Sequence, residues 1–193
     1  MLALAGCIDA PESSRDGDAA PDGDDDAAAM NQLLVNPGFE EGVGVGWIFQ
    51  PGGAPRISTA DDLGVQPQGG DYVAEVGDSD NTNEVISQLV DVPEGVTSLT
   101  INFHRCVLTE EPMDDTAKAW DFCNVRSSDG GELETLLQQA NDEATLACEW
   151  EAASVAVASF TAGAPLEILL IANNDSSDPT RCLYDSFELI PTY

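Results

Sequence analysis

Residues 31–193 predict an all-β fold, a two-sheet antiparallel β-sandwich of jelly-roll type, on three observations. From Gln32 onward the chain consists of short runs rich in Val, Ile, Leu, Thr and aromatic residues, the composition of strands. Clusters of Gly, Pro, Asp and Asn punctuate these runs, as turns between strands require. The last eight runs match the strand count of a jelly roll.

In order, the runs are 32–35, 45–50, 71–77, 84–90, 97–106, 120–127, 133–138, 150–159, 165–173 and 183–190. The first two flank the turn-rich stretch NPGFEEGVG. One segment competes with a strand reading: in GELETLLQQANDEA, 131–144, the leucines at 133, 136 and 137 suit a helix equally well. Its opening is read as a strand because the preceding SSDGG is a turn that starts a hairpin.

Residues 8–30, IDAPESSRDGDAAPDGDDDAAAM, contain almost no large apolar residue and cannot bury a core. They are expected to form an extended, solvated linker. An EF-hand loop is rejected there, because the required glycine and glutamate do not fall in register with the acidic residues. Before the linker, Leu4-Ala5-Gly6-Cys7 resembles a bacterial lipobox, whose cysteine is lipid-modified. The stretch ahead of it is shorter than a signal peptide and lacks the positive start of one. Residues 1–6 are thus expected to be a signal-peptide remnant, 7–30 the lipid-anchor cysteine and linker, and 31–193 the domain. The expected location is the bacterial cell envelope, at the outer membrane or cell surface, with the membrane reached only through the lipid on Cys7.

The charge is lopsided: 36 acidic against 6 basic residues give −30. Phosphate backbones and anionic headgroups are repelled by such a field, so nucleic acid is excluded as a partner. Partners are expected to be neutral, cationic or bridged by metal ions, and the chain a monomer.

With Cys7 set aside, four cysteines remain, Cys106, Cys123, Cys148 and Cys182, which suggests two disulfides with three possible connectivities. None forms a CxxC pair, so a zinc or thioredoxin-like site is unsupported. Jelly-roll topology puts all four at one end of the sandwich. It sets 97–106 antiparallel beside 183–190 and puts 120–127 in the other sheet. On that basis the expected bridges are Cys106–Cys182 and Cys123–Cys148.

NQLLVNPGFEEGVGVGW, with Asn36, Pro37, Gly38, Phe39, Glu40, Gly42 and Trp47, resembles the opening of carbohydrate-binding modules of the galactose-binding-like jelly-roll superfamily. EVISQLVDVPEGVTSLTINFHRC, VRSSDGGELETLLQQ, Trp150 and RCLYDSFELI look like the MAM-like or immune-inhibitor-A-like jelly rolls of secreted bacterial proteins. The resemblance implies a non-catalytic binding module for polysaccharide or glycan. The alternative is a structural or adhesive domain that contacts a surface protein and has no sugar site.

By period-2 alternation Leu183, Asp185, Phe187 and Leu189 share one face, which points Asp185 at the core. A buried carboxylate needs a partner, a metal or a proton. The resemblance implies a structural Ca²⁺ held by Asp185 and Glu40, with the Gly38 carbonyl and Asp71 completing the set, hard oxygen donors that suit this ion. Arg105 also points inward by alternation, and an Arg105–Asp185 ion pair is the alternative.

Among the aromatics, Trp47 and Trp150 are read as structural. Trp120, closing the loop TEEPMDDTAKA beside Lys118, is the expected ligand contact, followed by Tyr72 and Tyr184 on outward faces. His104, the single histidine, faces away from the core beside Cys106 and belongs to no recognisable catalytic set. Carboxylate pairs are found everywhere among so many acids, so no enzyme is inferred.

Overall fold

The computed structural model describes residues 32–51, 53–110, 121–141, 144, 147–176 and 178–193. Cys7, the linker, Lys118 and Trp120 lie outside the described residues.

Ten strands and one helical turn follow in order: β1 (Ile48–Phe49), β2 (Arg56–Thr59), α1 (Ala60–Leu63), β3 (Tyr72–Val76), β4 (Asn83–Asp91), β5 (Ser98–Thr109), β6 (Phe122–Asp129), β7 (Glu132–Ala140), β8 (Glu151–Val157), β9 (Pro165–Asn173) and β10 (Thr180–Thr192). They form two five-stranded antiparallel sheets, β1-β4-β9-β6-β7 (sheet A) and β2-β3-β10-β5-β8 (sheet B). Strands β3 to β10 are the eight expected from the sequence. The segment 132–140 is a strand paired with β6, as its turn signal implied.

Two sequence expectations fail locally. Residues 32–35 form no strand: the Gln32 amide accepts from Leu34 N and Leu189 N and donates to the Phe187 carbonyl, doing with a side chain what a ladder would do with backbone. Strand β2 and α1 were not foreseen. Thr59 caps α1 by accepting from Asp62 N, and Gly64 ends it in the left-handed conformation.

The core is apolar and aromatic. Phe39, Trp47, Phe103 and Phe187 are each essentially inaccessible. Phe103 and Phe187 stack with ring centroids 5.0 Å apart, and Phe39 lies 5.1 Å from Trp47. Trp47 donates to the Asn36 carbonyl at 2.9 Å, so it is structural, as expected, and it ties the NPGF turn to the core.

The disulfides differ from those expected: Cys106 joins Cys148 and Cys123 joins Cys182. The strand neighbours were right, since β10 pairs with β5 and β6 lies in the other sheet. The register decides the bridges. Cys182 is opposite Val107, and Cys106 is opposite Leu183. Adjacent strand positions point to opposite faces. Cys182 therefore faces the core and meets Cys123 across it, whereas Cys106 faces outward into a small cluster with Leu63, Leu183, Cys148 and Trp150.

A bulge in β10 overturns a further expectation. Ser186 and Phe187 together oppose Phe103, and Ser186 sits at φ +54°. The inserted residue flips the alternation. Leu183 and Asp185 lie on the outer face of sheet B, and Phe187 and Leu189 lie in the core.

Candidate functional site

Asp185 is fully buried, but beneath the loop that leads into β3 and not in the sandwich core. Its Oδ2 accepts from Gln68 N at 2.9 Å and Gly69 N at 3.0 Å, and its Oδ1 from the Ser186 hydroxyl at 3.3 Å. No basic side chain among the described residues pairs with it. Arg105 pairs with Glu151 at 3.0 Å, which replaces the Arg105–Asp185 alternative. Burial pushes the Asp185 carboxyl above the usual carboxylate range, against the pull of the loop amides.

Glu40 takes the other side of the same loop. Its carboxylate accepts from Asp71 N and Tyr72 N at 2.9 to 3.1 Å. Gly70, at φ +59°, leaves room for it: a Cβ there would overlap the Glu40 carboxylate. The NPGF turn is bound to the bulge through Phe187 N and the Pro37 carbonyl at 2.9 Å. The stretch from Gln68 to Tyr72, where the loop enters β3, is thus gripped by two carboxylates from distant parts of the chain. The Gly38 carbonyl has no hydrogen-bond partner among the described residues. Asp71 is exposed, at the rim of a cleft of about 590 Å³ lined by Thr59, Asp61, Gln66 and Tyr72. The carboxylates of Glu40 and Asp185 both turn their oxygens to loop amides, and among the described residues no three acidic, histidine or cysteine side chains are grouped to hold a metal ion.

Glu75 shows the opposite arrangement. It is 1 % exposed on the same face of sheet B and is bracketed by Arg56 and Arg181, so its charge is balanced within the protein. Trp150 closes the remaining gap by donating to the Gln66 carbonyl at 2.7 Å, the structural role expected of it. What stays open on this face is a groove of about 340 Å³ holding Asn102, His104, Ser154, Ser186 and Glu188. His104 does face outward beside Cys106, as alternation required.

Tyr184 corrects a sequence expectation. It opposes Arg105 and Ala74 on the inner face and is 2 % exposed, so it offers no ligand contact. Burial pushes its phenol well above the ordinary value and keeps it neutral. Tyr72 is half-buried, packs in part against the core and borders the cleft.

The outer face of sheet A is where sequence reasoning missed most. The register lays its side chains out in rows. One row runs Thr135, Arg126, Leu169, Ser87, Ile48. The next runs Gln138, Asn124, Ile171, Val85, and a third begins Ala140, Phe122, Asn173. Leu169 and Ile171 form an apolar floor, 7 and 8 % exposed. Around it stand Asn124, Asn173, Gln138 and Arg126, with Gln50 reaching Ser87 and Glu167 at 3.4 Å. Asn124 Oδ1 and Arg126 Nε are screened from solvent and have no hydrogen-bond partner. The signal was present in FCNVRSSD, where polar residues alternate with buried ones, but ordinary solvated faces alternate in the same way.

The sequence matches no protein-family model and no curated protein. Solved structures share its fold. The family-61 carbohydrate-binding module TmCBM61, solved with β-1,4-galactotriose, has a TM-score of 0.60 at 20 % identity over 83 % of this chain and 99 % of that one. A family-16 carbohydrate-binding module gives 0.53 at 16 % identity over 82 % and 99 %. The CBM22-1 xylan-binding domain of Paenibacillus barcinonensis Xyn10C gives 0.50 at 16 % over 83 % and 96 %. The chain therefore has the β-sandwich jelly-roll fold of carbohydrate-binding modules.

Proposed function

We propose that this chain is a non-catalytic glycan-binding module, held at a bacterial surface by the lipid on Cys7, its fold braced by calcium at Glu40 and Asp185. The observation that carries the glycan reading is the outer face of sheet A, where amide and guanidinium groups stand partly unspent above an apolar floor. Sugar rings present hydroxyls to such donors and C–H faces to such a floor. The fold is shared with modules solved with β-1,4-galactotriose or named for xylan, which supports the class of ligand but not its identity. Trp120 is two residues from Phe122 in sequence and remains the aromatic proposed to stack on a ring.

For calcium, the support is chemical. Asp185 and Glu40 would hold the ion with the Gly38 carbonyl, and Asp71 stands beside them. The ion would supply the positive charge that Asp185 lacks and Glu75 has, fixing the loop 66–72 to β10.

A second reading, an adhesive domain that contacts a surface protein, draws on Ile48, Leu89 and Leu133, which are 63, 62 and 56 % exposed on the same face of sheet A. Affinity electrophoresis against a polysaccharide panel, with calcium and with chelator, separates the two. Retardation by a polysaccharide that weakens in Trp120→Ala supports the module. No retardation by any polysaccharide, with the fold intact, favours the protein partner.

A further inference from the structure

Four arginines lie among the described residues, and three are spent on acids of the chain itself. Arg56 and Arg181 bracket Glu75 and reach Asp78, and Arg105 takes Glu151. Arg126 takes none. In a chain of 36 acidic and 6 basic residues, a guanidinium with no carboxylate partner is the unexpected case. Its surroundings make it more so. Arg126 is half-buried, at the middle strand pairings of sheet A, opposite Leu169 on one side and Thr135 on the other. Its Nε is shut off from water without a partner, and so is Asn124 Oδ1 two residues away. Glu167, one row along on the same face, is opposite Ser128 and takes the Gln50 amide.

A guanidinium is a planar fork of donors that matches an oxyanion. The Arg126 Nε is screened, but the side chain is only half-buried and its terminal nitrogens are not among the screened atoms, so they can meet a ligand. Resting on the glycan reading above, we propose that the glycan bound by this face carries an anionic group, a uronate carboxylate or a sulfate ester, and that Arg126 receives it. Asn173 and Gln138 then meet the hydroxyls beside it, with Asn124 beneath them donating to Asn173 Oδ1 at 3.4 Å.

The rest of the molecule repels such a ligand, and this gives the proposal a signature of its own. Long-range repulsion from a net charge of −30 is screened by salt, with a Debye length of about 8 Å at physiological ionic strength. A half-buried fork contact is screened much less. Binding of the anionic glycan is therefore expected to strengthen as NaCl rises from about 10 to about 150 mM, the reverse of a protein that binds polyanions through a basic surface.

The test is affinity electrophoresis of the protein and of Arg126→Gln and Arg126→Lys against polygalacturonate, alginate, a sulfated galactan, neutral galactan and neutral xylan, at both salt concentrations. Melting curves of each variant check the fold. The expected result is retention by an anionic polysaccharide about tenfold stronger than by the neutral ones, lost in Arg126→Gln and partly kept in Arg126→Lys. Retention by the uronate polymers or by the sulfated one supports the proposal and tells the two sources apart. Neutral polysaccharides bound as strongly as the anionic ones, or an anionic preference kept in a folded Arg126→Gln, would overturn it and leave the glycan reading standing. No retention by any polysaccharide would overturn both.

Discussion

The outer faces of the two sheets are built from similar residue types and use them in opposite ways. On sheet B the polar groups are turned on the protein itself: Glu75 is bracketed by two arginines, Asp185 is capped by loop amides, and α1, the loop 66–71 and Trp150 cover much of the strand surface. On sheet A the strands stay uncovered by any described helix, and Arg126 and Asn124 keep groups without partners. Sheet B spends its buried acids on stability, although His104 Nδ1 also lacks a partner there. Sheet A leaves a guanidinium with no acid to pair.

The contrast can be broken from the sheet B side, with effects that fall in order. Replacing Cys106 and Cys148 together by alanine removes a bridge across 42 residues of sequence and is expected to cost about 4 kcal/mol in urea unfolding. Peptide mapping of the unreduced protein should recover Cys106 with Cys148 and Cys123 with Cys182. Glu75→Gln leaves two guanidinium groups facing a neutral amide and is expected to cost about 3 kcal/mol in the same assay.

A smaller effect is expected at Asp185. Chelator should lower the melting temperature, and Asp185→Asn should abolish that difference while leaving the chelated protein at least as stable as before. Titration adds a sign. Burial raises the carboxyls of Asp185 and Asp121 in the folded state, so the native protein holds protons that the unfolded chain, with a carboxylate pKa of about 3.9, releases. The stability contributed by these two groups therefore rises as pH falls through their folded values and is complete below the unfolded one. In chelator the melting temperature should climb on acidification from neutrality, and Asp185→Asn should flatten that climb. Asn124→Ala on sheet A should shift the melting temperature least of all and still weaken polysaccharide binding.

Much of this architecture was legible in the sequence. Eight strands followed from alternation and turn chemistry, and Trp47, Trp150 and His104 lie where their positions implied. Asp185 was found by its burial, but on the wrong face, because nothing in CLYDSFEL announces the bulge that Ser186 introduces. The disulfides failed for a related reason: strand neighbours can be read from topology, but a one-residue register decides which face a cysteine takes. Strand β2 is only four residues long, too short for periodicity to register. The donors of sheet A were invisible because their lack of partners exists only once β6, β7 and β9 lie side by side.

The measurement that bears most directly on the account is a hydrogen-exchange footprint of the protein with a polysaccharide that retards it. Protection concentrated on β4, β6, β7 and β9 and weakened by Asn124→Ala is the expected result. Protection on the groove of His104, Ser154 and Glu188, with sheet A unchanged, would contradict it.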